Sequence, residues 1–230
     1  MIPTKSARFR VCIGLAQSFA FAVMMAVWST ADAQAHPHVF IDARSEVVFD
    51  LQGRITAVRQ IWRFDPAFSA FAIQGLDADN DGKLTVDELQ PLAKVNVTSL
   101  KEFDFFTFLN VSSQDLVFNQ PDEYWLDATD GQLTLFFTLP LKEPIATAGK
   151  PVVLDVFDPT YFVAFNLVGD QPVTLDTAPA GCTVKLEKAP ELDQATASTL
   201  AEIPADVRDL PDELKDVTKT LANTAHIACP

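Results

Sequence analysis

The sequence predicts a mainly β, α+β protein: an antiparallel β-sandwich with an inserted helix–loop–helix and a helical or irregular C-terminal appendage. Three observations predict it. Short alternating apolar segments recur from Leu116 to Leu186 between turn signals, the pattern two packed sheets require. Residues 77–88 spell an acidic loop, and apolar residues recur at helical spacing on both sides of it. Residues 189–225 contain no aromatic side chain, and Pro190, Pro204 and Pro211 cut them into short pieces.

The chain opens as a secretory signal peptide over residues 1–35. Lys5, Arg8 and Arg10 precede an apolar run from Val11 to Trp28, and Ala33-Gln34-Ala35 supplies a small-x-small cleavage site. No later apolar run is long enough to span a bilayer, so no stable membrane insertion is expected after cleavage. Processing removes Lys5, Arg8, Arg10 and Asp32 from 17 basic and 31 acidic residues, leaving 14 against 30 and a net charge of −16. That balance argues against nucleic acid and anionic surfaces as partners and favours cations.

The sandwich is expected over residues 36–188. Val39–Phe49 and Arg54–Phe64 alternate around the turn Asp50-Leu51-Gln52-Gly53 and read as a hairpin, with Ile55, Ala57 and Ile61 set against Arg54, Thr56, Gln60 and Arg63. Asp65-Pro66 stops it and starts a helix. Further strands are expected at Leu116–Phe118, Glu123–Ala128, Gln132–Pro140, Val152–Phe157, Tyr161–Val168, Val173–Leu175 and Thr183–Leu186. Phe103, Phe105, Phe106 and Phe108 read as core.

The insertion, at about residues 66–104, matches an EF-hand calcium loop position by position. Asp77, Asp79 and Asp81 stand at positions one, three and five, and Gly82 at the sharp turn. Lys83 offers its backbone carbonyl, Thr85 its hydroxyl, and Glu88 both carboxylate oxygens. A hard cation needs this density of oxygen. A lone loop of this kind is expected to bind Ca²⁺ with a Kd of roughly 10⁻⁴–10⁻³ M.

Cleavage after Ala35 exposes His36-Pro37-His38. A terminal His offers an α-amine and an imidazole from one residue, and His38 adds a second imidazole. Such donors suit Ni²⁺, Co²⁺, Zn²⁺ or Cu²⁺. Pro37 has no amide N–H, which excludes the square-planar site built from two deprotonated amides. Asp42, Asp158 and His226 are the further ligand candidates.

Cys182 and Cys229 remain after processing and read as a disulfide that tethers the appendage, residues 189–230. No nucleophile elbow, phosphate-binding glycine loop or HExxH is present, so no catalytic residues and no enzyme activity are expected.

HPHVFIDA at 36–43, the stretch from Asp65 to Phe108, LTLFFTLPL at 133–141, DPTYFVAFNL at 158–167 and APAGC at 178–182 together resemble the bacterial domain-of-unknown-function 1007 family. The resemblance implies the periplasmic component of an uncharacterised ABC-type transport system, associated with nickel- or cobalt-type inner-membrane metal permeases. Two other readings fit the residues: a calcium-stabilised structural β-sandwich without a transition metal, and a copper-dependent oxidase using the terminal His.

Overall fold

The computed structural model describes residues 37–190, 193–203 and 210–230; the predicted signal peptide and His36 lie outside them. β1 (Val39–Phe49) and β2 (Arg54–Phe64) form the predicted hairpin. Its turn is held by Asp50, whose Oδ1 accepts from the amides of Gln52 and Arg54, both at 2.9 Å, while Gly53 takes a left-handed φ of 72°.

One expectation for β2 is reversed. Against β1 the register slips by one residue between Ile55 and Ala57, and a one-residue bulge exchanges the two faces of everything beyond it. Gln60 and Trp62 therefore point into the core at 1 % exposure each, and Ile61 turns outward, between Arg44 of β1 and Phe136.

The remaining strands are β3 (Thr107–Val111), β4 (Gln114–Asp115), β5 (Tyr124–Thr129), β6 (Gln132–Ala146), β7 (Pro151–Val156), β8 (Val163–Leu167), β9 (Val173–Asp176), β10 (Thr183–Glu187) and β11 (Asn223–Ala228). They make two sheets. The first runs β5-β6-β2-β1-β8, with β9 also pairing with β1. The second runs β10-β11-β7-β3-β4 and is antiparallel throughout. Both β8 and β9 lie parallel to β1, so the antiparallel expectation holds everywhere except at that edge.

One core joins the sheets. Trp62 packs edge-on to Phe137 and Phe165, with centroids 4.8 and 4.9 Å away, and Leu154, Val156 and Ile227 of the second sheet belong to the same cluster. Burying side chains of this size contributes about 1.5–3 kcal/mol each. Four helices are described: α1 (Pro66–Ala72), α2 (Val86–Leu100), α3 (Gln194–Ala201) and α4 (Asp212–Thr220). α2 packs against β5 and buries Leu89, Ala93 and Val97, which share a face at four-residue spacing.

α2 stops at Leu100, short of the expected end of the insertion near residue 104. A tight 3₁₀ segment, Lys101–Phe106, follows, in which Asp104, Phe105 and Phe106 take φ of 50°, 54° and 48°. The left-handed region costs a non-glycine residue roughly 1–2 kcal/mol. Burial of both rings at the end of the segment offsets it.

The C-terminal stretch differs most from expectation. Asn223–Ala228 is a strand, β11, flanked by β10 and β7, so the chain re-enters the sandwich before Cys229. Between β10 and β11, Leu200, Ile203 and Leu210 form a second small core against Tyr161, and Thr218 Oγ1 donates to the Pro159 carbonyl at 2.8 Å. The Cys182–Cys229 disulfide is formed, across adjacent ends of β10 and β11.

Candidate metal centre

Residues 77–88 link α1 to α2 as a helix–loop–helix. Asp65 caps α1, accepting from the Phe68 amide at 2.9 Å, with Pro66 in the first turn. Thr85 caps α2 in a reciprocal capping box with Glu88. Between them Asn80 and Gly82 take φ of 59° and 80°. A Cβ at Gly82 would meet nothing within 4 Å, so glycine answers a dihedral requirement there, not a lack of space.

Of the four predicted carboxylate ligands, three are gathered. One carboxylate oxygen each from Asp77, Asp79 and Asp81 lies within 4.8 Å of the others. Backbone amides hold them: Asp77 accepts from Asp81 at 3.2 Å and from Gly82 at 3.0 Å, Asp79 accepts from Asp81 at 3.1 Å, and Asp81 accepts from Lys83 at 2.7 Å. Three like charges at this spacing repel by about 1 kcal/mol per pair even in water. A divalent cation among them would convert that repulsion into attraction, and an all-oxygen donor set suits Ca²⁺.

Glu88 is turned elsewhere. Its Oε2 accepts from the amide and hydroxyl of Thr85 at 2.9 and 2.8 Å, and its Oε1 from the Ala78 amide at 2.9 Å. These bonds, the Thr85 amide foremost, hold its carboxyl below the usual range. Glu88 thus ties the start of the loop to the start of α2.

The second predicted site is only partly within the described residues, because His36 is not among them. His38 is exposed at the entry to β1. Its amide donates to the Phe162 carbonyl at 2.9 Å, and its ring lies 4.8 Å from the Phe162 ring. The further ligand candidates are scattered. Asp42 is on the exposed face of β1, opposite Arg63 and Asn166. His226 belongs to the other sheet, with Nε2 3.3 Å from Glu187 Oε2. Asp158 is 3 % exposed and accepts from the Thr160 amide and hydroxyl at 2.7 and 2.8 Å and from the Val163 amide at 2.9 Å. Burial pushes its carboxyl above the usual range against those bonds.

The family profile described as a protein of unknown function, DUF1007, matches residues 20–229. The chain belongs to the DUF1007 family. The match runs on through residues 190–225, beyond the stretches that carry the resemblance. An uncharacterised protein of Haemophilus influenzae is 24 % identical over 185 residues, 78 % of this chain and 87 % of that protein. An uncharacterised 15.5 kDa protein of Spirochaeta aurantia, from the trpE 3′ region, is 30 % identical over 119 residues, 50 % of this chain and 83 % of that protein.

This DUF1007 chain also contains a polar group that periodicity assigned to the surface. Gln60 Oε1 accepts from Ser45 Oγ at 2.7 Å and Trp62 Nε1 at 3.2 Å, and its Nε2 donates to Thr107 Oγ1 at 2.9 Å. Thr107 Oγ1 passes a hydrogen bond to the Phe105 carbonyl at 2.9 Å. All four side chains are buried. The network joins β1 and β2 of one sheet to β3 of the other, directly after the left-handed turn. A bulge at Thr56 was its missing signal.

Proposed function

We propose that this protein is an exported, periplasmic metal-binding accessory of a transition-metal transport system. Ca²⁺ held by the 77–88 loop stiffens the insertion. His36 and His38 hold a Ni²⁺, Co²⁺ or Zn²⁺-type ion for an inner-membrane permease. The observation that carries the metal reading is the meeting of the Asp77, Asp79 and Asp81 carboxylates on a turn between two helices. His38 adds support, because its amide is fixed to the Phe162 carbonyl while its side chain stays at the exposed mouth of β1.

The experiment is calorimetry on the secreted, processed protein. At 10 mM Ca²⁺ and a Kd of roughly 10⁻⁴–10⁻³ M, linkage raises stability by about 1.4–2.7 kcal/mol, a Tm increase of roughly 3–10 °C for a chain of this size. D77N combined with D81N should abolish the shift. Titration with Ni²⁺, Co²⁺ and Zn²⁺ should then give one saturable site that weakens when a residue is added before His36. Transition-metal affinity unchanged by that addition overturns the terminal-histidine site, and no calcium shift overturns the loop.

One set of contacts favours a second reading, a calcium-stiffened structural protein with no transition metal. Asp158 is buried and already accepts from Thr160 and Val163, and His226 sits beside Glu187 on the other sheet. That reading expects the same calcium shift, with no heat from the transition metals and no effect of replacing His36 and His38.

A further inference from the structure

Between the inner face of the first sheet and α2 lies an open cavity of about 260 Å³. A buried apolar hole of about 150 Å³ already admits benzene, so this one has room for a ring and a short chain. Its wall is aromatic: Trp62, Phe64, Phe68, Phe103, Phe106 and Phe162 all line it. The same cavity is lined by Asp158, and among the described residues no Lys, Arg or His lines it. Amide and hydroxyl dipoles hold that carboxylate; among the described residues no cationic side chain does.

The backbone on both flanks is bent to make this shape. Asp104, Phe105 and Phe106 are consecutively left-handed on one side, and Tyr161 has a φ of 56° on the other. Strain of this kind persists where the surroundings enforce it, and it gathers at binding sites. On the α2 side, Asn96 and Ser99 also face the cavity. Ring faces carry negative potential and attract cations, most strongly when water is excluded. Aromatic walls around one buried carboxyl group are complementary to a positive head on an apolar body.

We propose that this cavity binds a small organic cation, an ammonium group carried on an aromatic or short aliphatic body, with Asp158 as the counter-charge and the six rings as the wall. The site is separate from the acidic loop and does not depend on the metal reading.

The test is calorimetry on the processed protein in excess chelator, so that no metal contributes. Phenethylamine is the cationic probe, and 3-phenylpropanoate is an anion with a closely similar body. Phenethylamine should bind saturably, at least tenfold more tightly than the carboxylate. D158N should erase that preference. Should D158N fail to fold, S99W decides the matter: Ser99 is exposed on α2 at the cavity mouth, and an indole there should block phenethylamine while leaving the melting curve intact. Equal binding of the two probes, preference for the carboxylate, no saturable binding, or full affinity in S99W would each overturn the proposal.

Discussion

Replacing Cys182 and Cys229 together with serine should cost about 4 kcal/mol and lower Tm by roughly 8–16 °C. The two cysteines are 47 residues apart, and the stabilisation of a cross-link grows with the loop it closes. The effect acts chiefly on the unfolded chain. In the native protein β10 and β11 are already neighbours, with Thr183 opposite Ala228, so the bond holds together what the ladder already joins. Without it, α3, α4 and the second small core must be ordered at full entropic cost before β11 can take its place between β10 and β7. Calorimetric melting of the double variant, beside the wild type with and without reductant, measures this. A loss under about 1 kcal/mol would mean that the 189–222 segment stays compact when the sandwich melts.

The Gln60→Leu variant should be destabilised by about 3–5 kcal/mol. Leucine nearly conserves volume, so little of the loss is cavity. Two buried donors, Ser45 Oγ and Trp62 Nε1, lose their shared acceptor, and Thr107 Oγ1 loses a donor. Each orphaned buried polar group costs about 1–3 kcal/mol. A double-mutant cycle separates this from packing. Ser45→Ala alone should destabilise, whereas in the Gln60→Leu background it should be neutral or stabilising, because it removes an orphan. Additive losses across the cycle would show that packing, not hydrogen bonding, carries the cost. The measurement is chemical denaturation at constant slope.

How far the sequence can be read depends on which force dominates each segment. The hairpin bounds, Val39–Phe49 and Arg54–Phe64, were legible because alternation and the Asp50–Gly53 turn are local signals. The faces of β2 beyond Thr56 were not, since one bulge inverts them without altering composition. Leu116–Phe118 read as a strand, yet only Phe118 pairs, through a single bridge to Leu141. The Phe103–Phe108 run satisfied helix and strand periods alike, and the backbone divides it into a left-handed turn and β3. β11 was hidden because its buried face, Asn223, Ala225 and Ile227, carries one large apolar residue; its partners on either side make it a strand. At the candidate metal centre the grouping of the three aspartates was legible from spacing. Glu88's engagement with Thr85 and Ala78 depends on a side-chain direction that spacing does not encode. Asp158 was visible as a residue, but the aromatic cavity around it is assembled from segments spread between residues 39 and 163.

Val39 pairs with Val163, and Ala228 with Pro151. The earliest and latest strands of the sandwich are each enclosed by a neighbour on both sides. The first sheet cannot close until β8 and β9, which end at Asp176, have emerged, and the second closes later still: until residue 228 is out, β7 waits with one ladder unmade, a sticky margin of the kind that recruits foreign chains. Pairings between such remote segments also form slowly. A cell making this protein must shield an unfinished polypeptide for nearly its whole length, and any holdase that escorts it is expected to release it only after the last strand arrives.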